Sequence, residues 1–392
     1  MQIAPFAIEQ FFAEYEFSTP YLLCASDCET MTVAELLRLA EMSLSELGDL
    51  RLHYTDSQGS SDLRALIAAQ YGAGNGRIEP QSPNALPVTA ADIVVLTAPE
   101  EGIYLLMRTL LEPGDHVVVL TPAYNSLLNV AEHVSGNVSR WQIQATAVGW
   151  QLDLDELDRL LAAGAKLLIV NFPHNPTGLL PGAEEFEAII ALAQKHDVWL
   201  FCDEMYRGLE LGGRETLPSA VTRYEKAIVL AGLSKVHGLP GLRSGWLVLR
   251  DAQLRADFIN WKHYTTICPP SPSEFLALAG LRAQAQLTAR NRHIIETNLE
   301  TADSFFARWP GLFTWRRPQA GSVALVELHT PAVTAYCHTL AREAGVLLLP
   351  GEYIDYAAQF VRWGFGRVDF AQGLAQYDAY LQQSMPSAAN AD

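Results

Sequence analysis

"AKLLIVNFPHNPTG", residues 165–178, joins an aliphatic run to a turn built from Asn, Pro and Gly. The run is apolar throughout, without the alternation of a half-exposed strand. Strands of that kind are buried on both faces and belong to parallel sheets. The same pattern recurs on both sides of it: "DIVVLT" (92–97), "HVVVLTPAY" (116–124), "VWLFCDE" (198–204), "KAIVLAG" (226–232) and "GWLVLR" (245–250). Amphipathic helical patterns such as "EEGIYLLMRTLLEPGD" and "AEEFEAIIALAQKHD" lie between several of these runs. The expectation is an α/β domain with a mostly parallel sheet between helices.

Ligand sites of such sheets form where strands end and loops begin. Here the loops are "TAPEEG", "TPAY", "NFPHNPTG", "CDEMYRG" and "GLSK", so five polar loops converge on one sheet edge. From about Ser271 the pattern changes to a long helix followed by strand-like "GSVALVEL" (321–328), "GVLLLPG" (345–351) and "FVRWGFG" (360–366). This reads as a smaller α+β unit. The predicted division is an N-terminal segment 1–45 packing with the small domain, a large domain 46–275 and a small domain 276–392. The tail "SMPSAANAD" reads as disordered.

Composition narrows the function. A formal net charge of −17 excludes nucleic acid or an anionic membrane as the main partner. No run reaches the ~18 apolar residues of a membrane span, and the N-terminus lacks the layout of a signal peptide. The five cysteines are scattered and complete no His/Cys metal set, which reads as reduced thiols of a cytoplasmic protein that binds no metal.

Lys235 on a Gly/Pro loop would read alone as a solvated lysine. Set between buried strands with Arg243 close behind, its amine gains reasons for a lowered pKa and for Schiff-base chemistry with an aldehyde. Arg243 has the shape to hold a phosphate. An aldehyde and a phosphate on one small molecule describe pyridoxal phosphate. Its ring nitrogen needs a buried carboxylate, and Asp203 ends an apolar strand where a charge has no structural purpose. Tyr206 and Asn175 are placed to reach the ring hydroxyl. Tyr124 offers a face for stacking, with a core tyrosine as the alternative. "TAPEEG" leads a helix whose free amides suit a phosphate.

"NFPHNPTG", "CDEMY", "GLSKVHGLPGLRSGW" and "VRWGFG", in this order, resemble the class I/II aminotransferases of the aspartate aminotransferase family, fold type I pyridoxal-phosphate enzymes. The resemblance runs from about residue 53 to about residue 366. "LSKVHGLPGLRSGW" and "WKHYTTICPPSPSE" look closest to branches that include capreomycidine synthase. The resemblance implies a seven-stranded-type sheet and a homodimer with shared sites. It also implies amino-group transfer between amino acids and 2-oxo acids through a Lys235 Schiff base. By the same resemblance Asp203 pairs with the ring nitrogen, Tyr206 and Asn175 bond the ring hydroxyl, and Tyr124 stacks on the ring. Ser234, Arg243 and the loop at Pro99 and Glu100 hold the phosphate, with Tyr54 of a second subunit. Arg362 clamps the α-carboxylate, with Asn175 and Ser26 beside the substrate. His174 and His237 are further candidates for the pocket.

This sequence departs from the family at two places. Gly232 stands where many members have serine, and "APEE" (98–101) replaces a small-residue phosphate turn with two carboxylates and a proline that lacks an N–H. Two other readings remain. One is elimination or cyclisation from the same carbanion. The other is a catalytically silent scaffold. A dinucleotide-binding dehydrogenase is rejected for want of G-x-G-x-x-G after the first strand.

Overall fold

The computed structural model describes residues 3–72 and 85–384. The tail read as disordered therefore lies, beyond Ser384, outside the described residues. Seven strands form the large sheet: β1 (Ile93–Leu96), β2 (His116–Thr121), β3 (Val138–Gln142), β4 (Ala165–Asn171), β5 (Trp199–Asp203), β6 (Ala227–Gly232) and β7 (Gly245–Val248). Their order is β1-β7-β6-β5-β4-β2-β3, and only β7 runs against its neighbours.

Period-two geometry explains why the apolar runs carry no polar alternation. Val94, Val117, Val119, Leu167, Ile169, Phe201, Ile228 and Leu230 enter a core on one face. Ile93, Val95, Val118, Leu168, Val170, Leu200, Cys202 and Val229 enter another on the opposite face. Helix α1 (Pro99–Leu110) packs Ile103, Leu106, Met107 and Leu110 against the first of these. Pro99 at its first position and two glutamates in its first turn suit a helix start. β3 was passed over in the sequence because only its Trp141 is buried, the mark of an edge strand.

A second, antiparallel sheet holds β8 (Phe313–Thr314), β9 (Val323–Leu328), β10 (Leu349–Pro350) and β11 (Phe360–Gly364), ordered β8-β9-β11-β10. The long helix expected from Ser271 breaks at Ala283 into Ser271–Arg282 and Gln284–Arg308. Leu276, Ala277, Ala279 and Leu281 of the first piece belong to the large-sheet core. "GVLLLPG" contributes only Leu349–Pro350 to a ladder, while Val346 pairs instead with Tyr21.

The N-terminal segment lies against the small sheet. Its helix (Ala7–Tyr15) buries Ile8, Phe11 and Tyr15 beside Leu325, Leu347, Leu349 and Phe360. The Ile8 amide donates to Asn125 Oδ1 at 3.1 Å, which ties the helix to the large body as well. Further on, the Gly364 amide donates to the Leu23 carbonyl at 2.8 Å. A Cβ at Gly364 would collide with the Ala25 carbonyl, so only glycine lets residues 23–27 lie this close. No helix among the described residues is long and apolar enough to cross a membrane.

Candidate active site

The five loops leave the large sheet at one edge, and two of them bond a residue of the N-terminal segment. Lys235 Nζ donates to Ser26 Oγ at 2.8 Å. The Tyr206 hydroxyl donates to the Ser26 carbonyl at 2.9 Å, and Ser322 Oγ donates to the same carbonyl at 2.8 Å. Ser26 is thus the point on which lysine, tyrosine and small sheet converge.

Asp203 closes β5 with 7% of its surface accessible. Oδ1 accepts from the Met205 amide at 3.0 Å, and Oδ2 takes no hydrogen bond among the described residues. Burial pushes its carboxyl up to about 7; the Met205 amide opposes this, and Glu100 adds to it. A buried carboxylate with an oxygen to spare calls for a cationic N–H partner.

Asn175 is buried nearby, its amide donating to Asn171 Oδ1 at 2.7 Å and its side chain unbonded among the described residues. Gly178 has φ +72°, and a Cβ there would meet the Val323 carbonyl at 2.7 Å; the "NPTG" loop is therefore wedged against β9. Tyr124 sits edge-on to Phe6 at 5.4 Å between centroids, with its hydroxyl 3.4 Å from Glu9 Oε1. Burial first, then Glu100 and Glu9, hold its phenol neutral well above the usual range.

The two-glutamate turn resolves into two different roles. Glu101 points away from the cleft. Its carboxylate accepts from the Thr97 amide at 2.8 Å, faces the fully buried Lys262 at 3.3 Å and bonds Thr266. The Glu101 amide donates to the Ala98 carbonyl, so it is spent. The Glu100 amide has no acceptor among the described residues, while its carboxylate acts on Tyr124 and Asp203. Pro99 lies against Gly245 and offers no donor.

Ser234 is buried. Arg243 is exposed at φ +48°, its Nη1 resting on the Pro240 carbonyl of its own turn rather than on another predicted site residue. At Gly232 a Cβ would already meet the Ser244 carbonyl at 3.1 Å and Met205 Cε at 3.2 Å, so a serine does not fit without movement.

Arg362 is 1% exposed, so a surface salt bridge is excluded. Nε and Nη2 donate to the Cys24 carbonyl at 3.2 and 3.0 Å, and no carboxylate pairs with it among the described residues. His174 is no pocket residue. It bonds Thr177 at 2.8 Å and the Pro122 carbonyl at 2.9 Å, and burial lowers its pKa to about 3. His237 lines a cavity of about 660 Å³ together with Met205, Gly232 and Trp246. Tyr54 is 84% exposed, and among the described residues no hydrogen bond joins it to another predicted site residue.

Sequence reasoning missed Glu9, Phe12 and Glu16, read there only as part of a non-signal N-terminus. Their spacing of three and four places them on one helix stripe, which was the available signal. The residues fit pyridoxal phosphate: a carboxylate for the ring nitrogen, an amine for the aldehyde and a helix start for the phosphate.

A family profile described as "Aminotransferase class I and II" matches residues 20–383. Capreomycidine synthase of Streptomyces vinaceus is 29% identical, over 94% of this chain and 91% of that protein. Arginine–pyruvate transaminase of Pseudomonas aeruginosa is 26% identical over 88% and 84% respectively. The crystal structure of a PLP-dependent aminotransferase from Streptococcus suis superposes with a TM-score of 0.88 at 26% identity, covering 98% of this chain and 99% of that one.

Proposed function

Since this chain belongs to the class I and II aminotransferase family, we propose how its own residues divide the work of pyridoxal-phosphate-dependent amino-group transfer. The protein is an enzyme of that chemistry, acting on amino acid and 2-oxo acid substrates. The observation that supports the assignment of roles is that Lys235, Tyr206 and Arg362 all bond residues 24–26, with Asp203 in the field of Lys235.

Bound in this site, pyridoxal phosphate supplies an aldehyde for the amine and an electron sink for charge released at Cα. Arg362 holds the α-carboxylate; its free Nη1 and lack of an acidic partner suit a bidentate clamp. Lys235 takes the proton from Cα and returns it elsewhere, with Ser26 Oγ orienting its amine. Asp203 keeps a proton on the ring nitrogen. Asn175 and Tyr206 would bond the ring hydroxyl, and Tyr124 would stack on the ring. The Glu100 amide, Ser234 and Arg243 hold the phosphate, and Pro99 sets the helix start against β7.

A spectrum with a panel of amino acids tests this reading. One or more donors are expected to bleach the yellow band and a 2-oxo acid to restore it. Amines lacking an α-carboxylate are expected to leave it unchanged, because Arg362 then has nothing to hold. A band indifferent to every amino acid overturns the assignment. Elimination or cyclisation is a second reading, favoured by the likeness to capreomycidine synthase. It predicts bleaching that no oxo acid reverses.

We further propose a cytoplasmic homodimer in which Tyr54 of one subunit completes the other's phosphate site. Support comes from five unpaired cysteines and from an apolar patch on adjoining segments: Leu52, Tyr54, Tyr264 and Ile267 are exposed, and Thr55 Oγ1 donates to the Pro269 carbonyl at 2.7 Å. Sedimentation of the soluble cell fraction should give twice 43.1 kDa. A monomer, or a protein found outside the cytoplasm, overturns this.

A further inference from the structure

The N-terminal helix presents its second face to the cleft. Ile8, Phe11 and Tyr15 are buried in the body, whereas Glu9, Phe12 and Glu16 form a parallel stripe with a different site residue at each position. Glu9 reaches Tyr124, and Phe12 lies under the Arg362 guanidinium at 5.8 Å. Glu16 lies in the field of Lys235.

The neighbouring acids are already engaged: Asp27 pairs with Arg367 at 2.8 Å and Glu29 accepts from the Val368 amide at 3.0 Å. Among the described residues Glu16 has no side-chain hydrogen bond or ion pair, and the one hydrogen bond of the Glu9 carboxylate is with the Tyr124 hydroxyl. Burial, then Asp27 and Glu9, hold the Glu16 carboxyl above its ordinary range against the opposing charges of Arg367 and Lys235, neither of which forms an ion pair with it among the described residues. Independently, Arg362 is a buried cation without an acid on the other side of Phe12. A ligand that satisfies both ends carries a carboxylate at one end and a cation at the other, with methylenes able to lie along an aromatic ring.

Resting on the aminotransferase reading above, we infer that the enzyme selects amino acids with a cationic side chain, and that Glu9 and Glu16 receive the distal guanidinium or ammonium while Arg362 holds the α-carboxylate. Aspartate-like donors meet two carboxylates where their own carboxylate must go.

The test compares L-arginine with L-citrulline, which matches it in shape but ends in a neutral ureido group. L-ornithine and L-glutamate are further probes. Dissociation constants are measured by calorimetry on holoenzyme treated with borohydride, so that no turnover occurs, and donor rates on untreated holoenzyme. Arginine or ornithine should bind at least about tenfold more tightly than citrulline. That ratio should collapse toward one in the Glu9→Gln/Glu16→Gln variant. Glu14→Gln, which removes one negative charge from the same helix where the double variant removes two, should keep it. Equal binding of arginine and citrulline, survival of the ratio in the double variant, or preference for glutamate overturns the inference while leaving amino-group transfer standing. A holoenzyme that responds to no amino acid overturns the transfer reading instead.

Discussion

The Lys235→Ala protein is expected to fold, to bind pyridoxal phosphate without the yellow band near ~420 nm, and to transfer amino groups about 10⁴-fold more slowly than the parent. Folding should survive because Lys235 is only half-buried and gives up a single hydrogen bond, to Ser26 Oγ. The rate should not survive, because three other candidate bases are engaged or misplaced, and Glu9 and Glu16 are assigned above to the far end of the substrate from Cα. Tyr206 donates to a carbonyl, His174 is buried and bonded on both nitrogens, and Glu101 faces Lys262. Single-turnover spectroscopy after mixing with the best donor reads the effect. A variant retaining more than about one part in a hundred of the rate would assign the proton transfer to another group.

Asp203→Asn should act in opposite directions on the cofactor-free and cofactor-loaded protein. Without cofactor, the carboxyl sits at about 7 against an ordinary 3.8. A raised carboxyl pKa means that the folded state binds the proton more readily than the unfolded state does. Its burial is therefore harmless below pH 4 and costs progressively more as pH rises to 7, amounting to about 4 kcal/mol above that. The asparagine carries no charge and leaves at most an unsatisfied amide, a cost of about 1–3 kcal/mol. Cofactor-free Asp203→Asn should thus match or exceed the parent in stability at pH 7.5, and its unfolding should lose the dependence on pH between 4 and 7. The loaded variant should lose about 10³-fold in rate, because nothing keeps the ring nitrogen protonated. Denaturant unfolding at pH 5 and pH 7.5, beside donor rates, checks both halves. A variant that is less stable and fully active would show Asp203 to be a structural carboxylate.

The sheet and its loops were legible because each rests on local rules. A strand buried on both faces must be apolar throughout, and a polar residue at its end has few reasons to be there other than a ligand. Asp203 closes β5, and Asn175, Tyr206 and Lys235 lie on the loops that follow β4, β5 and β6, whereas Arg362 lies inside β11. What stayed hidden depends on partners far along the chain. The direction of Glu101 is decided by Lys262, 161 residues away, so the feared clash of two carboxylates with a phosphate reduces to Glu100 alone. Arg243 lies on its own turn, since nothing in the chain itself holds its guanidinium elsewhere. The Glu9–Phe12–Glu16 stripe has helical spacing, but its face toward the cleft follows from the opposite face docking on the small sheet, which no local pattern announces.

The knot of contacts at residues 24–26 has a consequence for how the enzyme is made. Lys235 is 209 residues from Ser26, Ser322 is 296 and Arg362 is 338 from Cys24. Loops of that span are closed late, and domains emerging from the ribosome fold as they complete. The seven-stranded sheet can assemble while β11 is still in the exit tunnel, but the carboxylate clamp cannot, because its two halves lie 338 residues apart in the chain. Maturation of this site thus waits on the synthesis of β11, and a nascent chain stalled before Phe360 would display the lysine without the means to select a substrate.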